Sequence, residues 1–484
     1  MHPSKEQELP SLHLYNTETR DKRRVIPSLG DTILLYTCGP TVYNFAHIGN
    51  FRTYVFEDLL RRSLQFFGMK VRQVMNLTDV DDKTIKGAID HDLSLADYTA
   101  PYILAFFEDL DTLGIQRAEE YPAATDYIPD MIKIIERLID KGVAYVGFDK
   151  SVYFRISSFP SYGRLSHLDC CGLLAGAGGR VGTDEYGKDE LSDFVLWKAY
   201  DPLRDGSIYW DSPFGLGRPG WHIECSAMAM KILGESIDIH VGGVDNMFPH
   251  HENEIAQSEA FSGKVFVHHW LHAEHLLVNH KKMSKSLGNF YTVRDLLQKG
   301  YSGLQIRYAL MQVHYRLQLN FTIEGLEAAG ASAQRILDFV RRMRYLKGSE
   351  GKGLVAPLVQ TCLQGFALAL ADDLNISSAL SHLFDFLHEV HILCDREEVS
   401  RKEADSILEA MQSIDSVLGL LPLESQEQIP AFLEETLQKR EQARKEKNWA
   451  VADACRDLLL EHGYRIEDSL EGPSLKKIKR GVDG

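Results

Sequence analysis

The sequence lacks any uninterrupted apolar run near the roughly 20 residues that a bilayer-spanning helix needs. Residues 1–20 have neither a secretory apolar core nor an Arg-rich, acid-poor transit pattern, so a cytoplasmic protein is expected, with no membrane partner. Cysteine is scarce and scattered: the seven residues at 38, 170, 171, 225, 362, 394 and 455 are odd in number and irregular in spacing. That excludes the framework of a small secreted disulfide protein and leaves buried thiols, metal ligands or nucleophiles. Positive charge is also short, with a formal net charge of −16. Loose, charge-driven nucleic-acid binding is disfavoured, although a specific RNA can still be held by local basic patches. There is no internal repeat and no strong low-complexity tract.

What is present is an ordinary globular composition in a chain of 484 residues, too long for one core and suited to two to four domains. Thr32 to Thr37 reads as a buried strand ending at the turn Cys38-Gly39-Pro40. The pattern from Phe51 to Phe67 predicts a helix with a broad apolar face (Phe51, Val55, Leu59; Phe56, Leu60, Leu64), stopped by Gly68. Val71 to Leu77 reads as the next strand. Strand, tight loop, helix and strand predict the first unit of a Rossmann-like parallel α/β sheet. From Met131 to Leu196 the pattern loosens, and Cys171 to Gly187 reads as a glycine-rich surface insertion. Ile237 to Val241 predicts a strand, and about Pro249 to Phe261 a helix. Beyond Gly300 the text is nearly all helical, until a linker at Leu421 to Pro430 precedes a small α+β unit. The expected organisation is a first catalytic half (1–130), an insertion (131–220), a second catalytic half (221–300), a helical bundle (301–420) and a C-terminal domain (431–484).

Two short strings carry chemistry. Lys282-Met283-Ser284-Lys285-Ser286 places two lysines three apart on a loop, where both can approach a triphosphate and stabilise charge on a departing pyrophosphate. His47-Ile48-Gly49-Asn50 lies where a strand gives way to a helix. Backbone N–H groups at a helix start attract phosphate, and Gly49 permits close approach. His250 and Glu254, four apart on a predicted helix, share one face and can grip a single ion. Cys38 falls at the end of the first strand, where open α/β folds place their ligands.

Together the two strings resemble the paired signatures of class I aminoacyl-tRNA synthetases. The surrounding text resembles the cysteinyl-tRNA synthetase family: Tyr36-Thr37-Cys38-Gly39-Pro40-Thr41-Val42-Tyr43; Asn76-Leu77-Thr78-Asp79-Val80-Asp81-Asp82-Lys83; Gly220-Trp221-His222-Ile223-Glu224-Cys225; and Phe248-Pro249-His250-His251-Glu252-Asn253-Glu254. The resemblance runs from about residue 12 into the C-terminal helices and weakens in the insertion and the last 60 or so residues. It implies ATP-dependent activation of L-cysteine and transfer to tRNA(Cys). Lys282 and Lys285 would lie on the KMSKS loop, and His47, Gly49, Asn50, Asp245 and Lys285 would bind Mg²⁺·ATP. It further implies one Zn²⁺ per chain, held by Cys38, Cys225, His250 and Glu254. Serine differs from cysteine by one atom, which an apolar pocket separates by only about 10–200-fold. Zinc prefers thiolate sulfur, so the ion would act as a selector, and no editing domain is expected.

By the same resemblance Trp221 packs beside the substrate, while Thr78 and His240 either line the amino-acid site or serve structure. The usual signature ends in a second histidine; Asn50 stands here, with a modest effect on rate expected. The histidines at 268, 269, 272, 275 and 280 read as packing or surface residues, Cys170 and Cys171 as inert thiols, and Asp79, Asp81 and Asp82 as caps, salt bridges or a magnesium site. In the C-terminal domain Trp449 either stacks on an unpaired base or anchors its helix. A monomer is expected. The rival readings are a mycothiol-type ligase that passes cysteine to an amino sugar, and an inactive RNA-binding paralogue.

Overall fold

The computed structural model describes residues 9–168, 180–181, 192–284, 288–348, 350–421, 431–469 and 472–477. Four parallel strands form the central sheet: β1 (Thr32–Thr37), β2 (Lys70–Met75), β3 (Ile237–Gly243) and β4 (Val267–Ala273), in the order β4-β3-β1-β2. Their side chains are mostly buried on both faces, as a covered parallel sheet requires. Helix α1 (Ile48–Phe66) connects β1 to β2 and buries Phe51, Val55, Leu59 and Leu64. The chain leaves it through Gly68, whose φ of 81° is left-handed and suits glycine. Helix α2 (Trp221–Leu233) leads into β3, and α3 (Glu252–Ser262) joins β3 to β4. The β1-to-β2 connection runs one way across the sheet, and β3 and β4 lie on the other side of β1. The C-terminal ends of β1 and β3 therefore flank the switch point where this fold opens a crevice.

The loosened pattern after Met131 hides more order than expected. Helix Ile128–Asp140 crosses the expected boundary at 130. A five-stranded sheet follows, in which Ala144–Val146, Val152–Phe154, Asp193–Ala199 and Gly217–Pro219 pair antiparallel and Arg180–Val181 pairs in parallel with Asp193–Ala199. All its strands but the seven-residue Asp193–Ala199 have three residues or fewer, too short for periodicity to reveal. Most of Cys171–Gly187, with Cys170 and Cys171, lies outside the described residues.

After β4 the chain forms a hairpin in which Leu277 pairs with Lys282 and Val278 with Lys281. Asn279 and His280 make its two-residue turn with φ of 50° and 61°, the positive values such turns demand. Lys282 is thus on a short strand at the edge of a separate three-stranded sheet, completed by Leu319–Phe321. Four helices, Ile323–Tyr345, Val355–Ala371, Ile376–Asp395 and Arg401–Leu418, form the bundle. A buried ion cluster ties it to α1: Arg307 reaches Asp58 at 2.5 Å and the Leu418 carbonyl at 2.8 Å, while Arg62 reaches Asp58 at 2.8 Å.

Residues 422–430 of the expected linker are outside the described residues. Two helices, Ala431–Lys445 and Trp449–Glu461, then pack with an antiparallel hairpin (Tyr464–Ser469, Gly472–Lys477) over Leu433, Leu459 and Tyr464. Trp449 is 59% exposed, so it does not anchor its helix in a core. Among the described residues no helix is long and apolar enough to cross a membrane.

Candidate functional site

His47 caps the N-terminus of α1. Its Nδ1 accepts from the Asn50 backbone N–H at 3.1 Å, and Asn50 Oδ1 accepts from the His47 N–H at 3.1 Å, a reciprocal capping box. Burial holds the His47 pKa below the ordinary imidazole range, against the opposing pull of Asp245. A neutral ring whose Nδ1 accepts must carry its proton on Nε2, so the free edge of His47 is a donor. Asn50 is therefore a helix cap first, a role the sequence reading did not assign it.

The second signature leans on the first. Ile48 N–H donates to the Tyr291 carbonyl at 2.9 Å, His47 bridges Thr292 and its ring meets Phe290 edge-on at 5.3 Å. A Cβ on Gly49 would come within 2.9 Å of the His47 ring and 3.2 Å of Met283. Glycine at 49 thus lets the lysine string approach the helix start. Lys282 is exposed beside this junction, while Lys285 lies outside the described residues.

Beneath it, four buried side chains converge: Cys38 after β1, Cys225 one turn into α2, His250 before α3 and Glu254 on α3. One donor atom from each lies within 4.8 Å of all the others. His250 Nε2 is 3.0 Å from Glu254 Oε1, yet Oε1 accepts no hydrogen bond, so both atoms face a common point. Their other atoms are engaged: His250 Nδ1 with His222 Nδ1 at 3.0 Å, Glu254 Oε2 with His240 Nε2 at 2.9 Å. Such outer contacts are what orient metal ligands. A Cβ on Gly39 would sit 1.8 Å from the Asn76 carbonyl, so only glycine lets the chain pass there just after Cys38.

The four groups are electrostatically coupled to one another. Burial works against charge on Glu254, but His240 and His250 hold its pKa down at about 2. Burial likewise opposes the His250 cation, and the Glu254 carboxylate and Cys225 overcome it, raising His250 to about 10. A hydrogen bond with Cys38 lowers the Cys225 thiol, and the same bond with burial raises Cys38. Two sulfurs, one imidazole and one carboxylate with donor atoms within 4.8 Å of one another are a ligand set that fits Zn²⁺.

The remaining expected residues separate. Trp221 begins α2 and stacks on His250 at 4.2 Å. His240 is fully buried, stacked on Trp270 at 4.7 Å and bonded to Glu254. Thr78 is buried and ties the loop after β2 to the Pro40 carbonyl at 3.0 Å. Asp245 is largely exposed after β3, 3.4 Å from His275. The acidic trio caps and pairs: Asp79 accepts from Thr125, Asp81 caps helix Asp82–Asp90, and Asp82 meets Lys198 and Arg218.

His222 and His251 were given no role by the sequence reading, and His272, read there as a packing or surface residue, is buried and packs against His251. His222 orients His250. His251 Nε2 lies 3.3 Å from Cys38 Sγ, and its Nδ1 meets His272 Nε2 at 2.8 Å. Burial lowers both pKa values, His272 to about 3, so this pair is neutral. The period-two pattern of β4 sets Trp270 and His272 on one face, a signal that could have drawn His272 toward the site.

Residues 25–331 match the family model described as tRNA synthetases class I (C) catalytic domain, and residues 365–422 match the DALR domain. A cysteine–tRNA ligase of Protochlamydia amoebophila is 61% identical over 467 residues, covering 96% of this chain and 98% of that one. One from Chlamydia felis is 54% identical over 475 residues, covering 97% and 98%. Among solved structures, Mycobacterium tuberculosis methionyl-tRNA synthetase with methionyl-adenylate superposes with a TM-score of 0.57 at 14% identity, over 81% of this chain and 90% of that one. With the full-length identity, the catalytic and DALR matches and the class I sheet all in agreement, the chain belongs to the cysteine–tRNA ligase family of class I aminoacyl-tRNA synthetases.

Proposed function

We propose that this ligase recognises L-cysteine through a zinc ion held by Cys38, Cys225, His250 and Glu254, and activates it beside the His47 helix terminus. The observation that carries the proposal is the convergence of those four donor atoms, Cys38 directly after β1 and the other three on the segments flanking β3. A bound zinc ion would supply a thiophilic contact that serine cannot match.

The chain's own residues do the rest. A cysteine carboxylate oxygen attacks the α-phosphorus of Mg²⁺·ATP; the new O–P bond forms as the bond to the β-phosphate breaks, releasing pyrophosphate. His47 donates its Nε2–H to a phosphoryl oxygen, and the α1 N-terminus and Gly49 admit the phosphates closely. Lys282, with Lys285 by its place in the motif, offsets charge on the leaving pyrophosphate. Asp245 accepts from the ribose hydroxyls, and Trp221 bounds the amino-acid site beside His250. In the second step the terminal ribose hydroxyl of tRNA(Cys) attacks the activated carbonyl and AMP leaves. The C-terminal unit, with Trp449 exposed, is the reading for anticodon contact, since a bare ring can stack on an unpaired base. The protein acts as a cytoplasmic monomer in this reading.

Cysteine-dependent ATP–pyrophosphate exchange followed by charging of tRNA(Cys) tests the proposal. Exchange with charging supports it, whereas exchange without charging would move the assignment to the amino-sugar ligase.

A further inference from the structure

The helix Val293–Gln298 trails the lysine loop, and its second residue, Arg294, contacts two other segments at once. Arg294 Nη2 donates to Glu108 Oε2 at 2.6 Å and to the Ala105 carbonyl at 3.2 Å, both on helix Leu95–Thr112. Its guanidinium carbon is 5.5 Å from the centre of the Phe45 ring, two residues before His47. Arg294 Nε faces Asp109 Oδ1 at 3.5 Å without hydrogen-bonding it, and Asp109 is almost fully buried with Oδ2 unpartnered. Burial dominates Asp109 and raises its pKa to about 6 despite the nearby guanidinium. Arg294 is half-buried, and it meets the buried Asp109 without the two-bond fork that arginine ordinarily offers a carboxylate.

We propose that Arg294 is a positioning residue for the adenylation step: it clamps the helix behind the lysine loop onto Ala105–Asp109 and Phe45, so that the lysine string and His47 share one frame. This deepens the ligase reading and rests on it. Arg294 lies one turn or less from Thr292 and Tyr291, which pair with His47 and Ile48, so a slip of its helix moves the loop against the first signature directly. Misplacement by about 1 Å can cost on the order of a hundredfold in rate. The cysteine pocket, built on α2, β3 and α3, does not depend on this contact.

The test is steady-state ATP–pyrophosphate exchange by the full chain carrying Arg294→Met or Arg294→Lys. The expected result for Arg294→Met is a fall in kcat of about tenfold or more with the KM for cysteine within about twofold, and partial recovery with Arg294→Lys. Wild-type kcat in Arg294→Met would overturn the proposal. So would a joint loss of kcat and cysteine affinity that lysine does not recover, since that marks a general fold defect. If Arg294→Met does not fold, Glu108→Gln serves: a lower kcat with cysteine KM unchanged supports the clamp, and unchanged kcat overturns it. Absence of cysteine-dependent exchange in the unaltered chain would instead overturn the ligase reading itself.

Discussion

His222 Nδ1 lies 3.0 Å from His250 Nδ1, deep beneath the crevice, and this contact turns the other nitrogen of His250 toward Glu254. His222→Ala should therefore leave all four donor residues in place yet weaken zinc binding by about 10–100-fold. Competition with a chromophoric chelator reads this directly, and unchanged affinity would show that Trp221 stacking alone orients the ring.

Asp58 holds Arg307 and Arg62 at the junction of α1 and the bundle, and all three are largely buried. Asp58→Asn leaves two buried guanidinium groups short of a partner, a cost of about 3–5 kcal/mol. Burial alone would raise the Asp58 pKa, but Arg307 and Arg62 outweigh it and hold it below the ordinary 3.8. A depressed folded pKa gives stability that is present above the ordinary value and lost as pH falls through the folded one. The urea midpoint of the wild type should thus converge on that of Asp58→Asn only on strong acidification, below about pH 4.

Glu57, one position earlier, behaves oppositely. It is fully buried on α1, neither carboxylate oxygen has a hydrogen-bond partner, and burial pushes its pKa well above the usual range. The folded chain keeps this proton after the unfolded chain has lost it, so Glu57 costs stability progressively as pH rises above about 4.5. Glu57→Met, of similar length and apolar, should raise the thermal midpoint at pH 8 and raise it less at pH 5. An equal shift at both values would assign the effect to packing.

Much of this was legible in the text, for identifiable reasons. The strand Thr32–Thr37 appears with the bounds its apolar run gave, and the helix expected from Phe51 to Phe67 appears as Ile48–Phe66, because such apolar patterns are set by the chain itself. His250 and Glu254 also converge as their spacing of four suggested. The meeting of Cys38 with Cys225 depends on how β1 and α2 pack, and spacing carries no trace of it. His251 was given no role and His272 only a packing or surface one, because the contact that joins them arises from the packing of the segment before α3 against β4. The insertion was largely opaque because all its strands but Asp193–Ala199 have three residues or fewer and no readable period. Asn50 was judged as a phosphate contact, whereas its side chain first completes a helix cap.

The central claim is that the four converging donors select cysteine by its sulfur. The most direct test measures zinc content and the ratio of kcat/KM for cysteine over serine in pyrophosphate exchange, for the wild type and for Cys225→Ala. The account predicts one zinc per wild-type chain, and a variant that loses both the zinc and most of its preference, falling to within the roughly 10–200-fold that shape alone provides. A zinc-free Cys225→Ala chain that still activates cysteine with wild-type selectivity would contradict it.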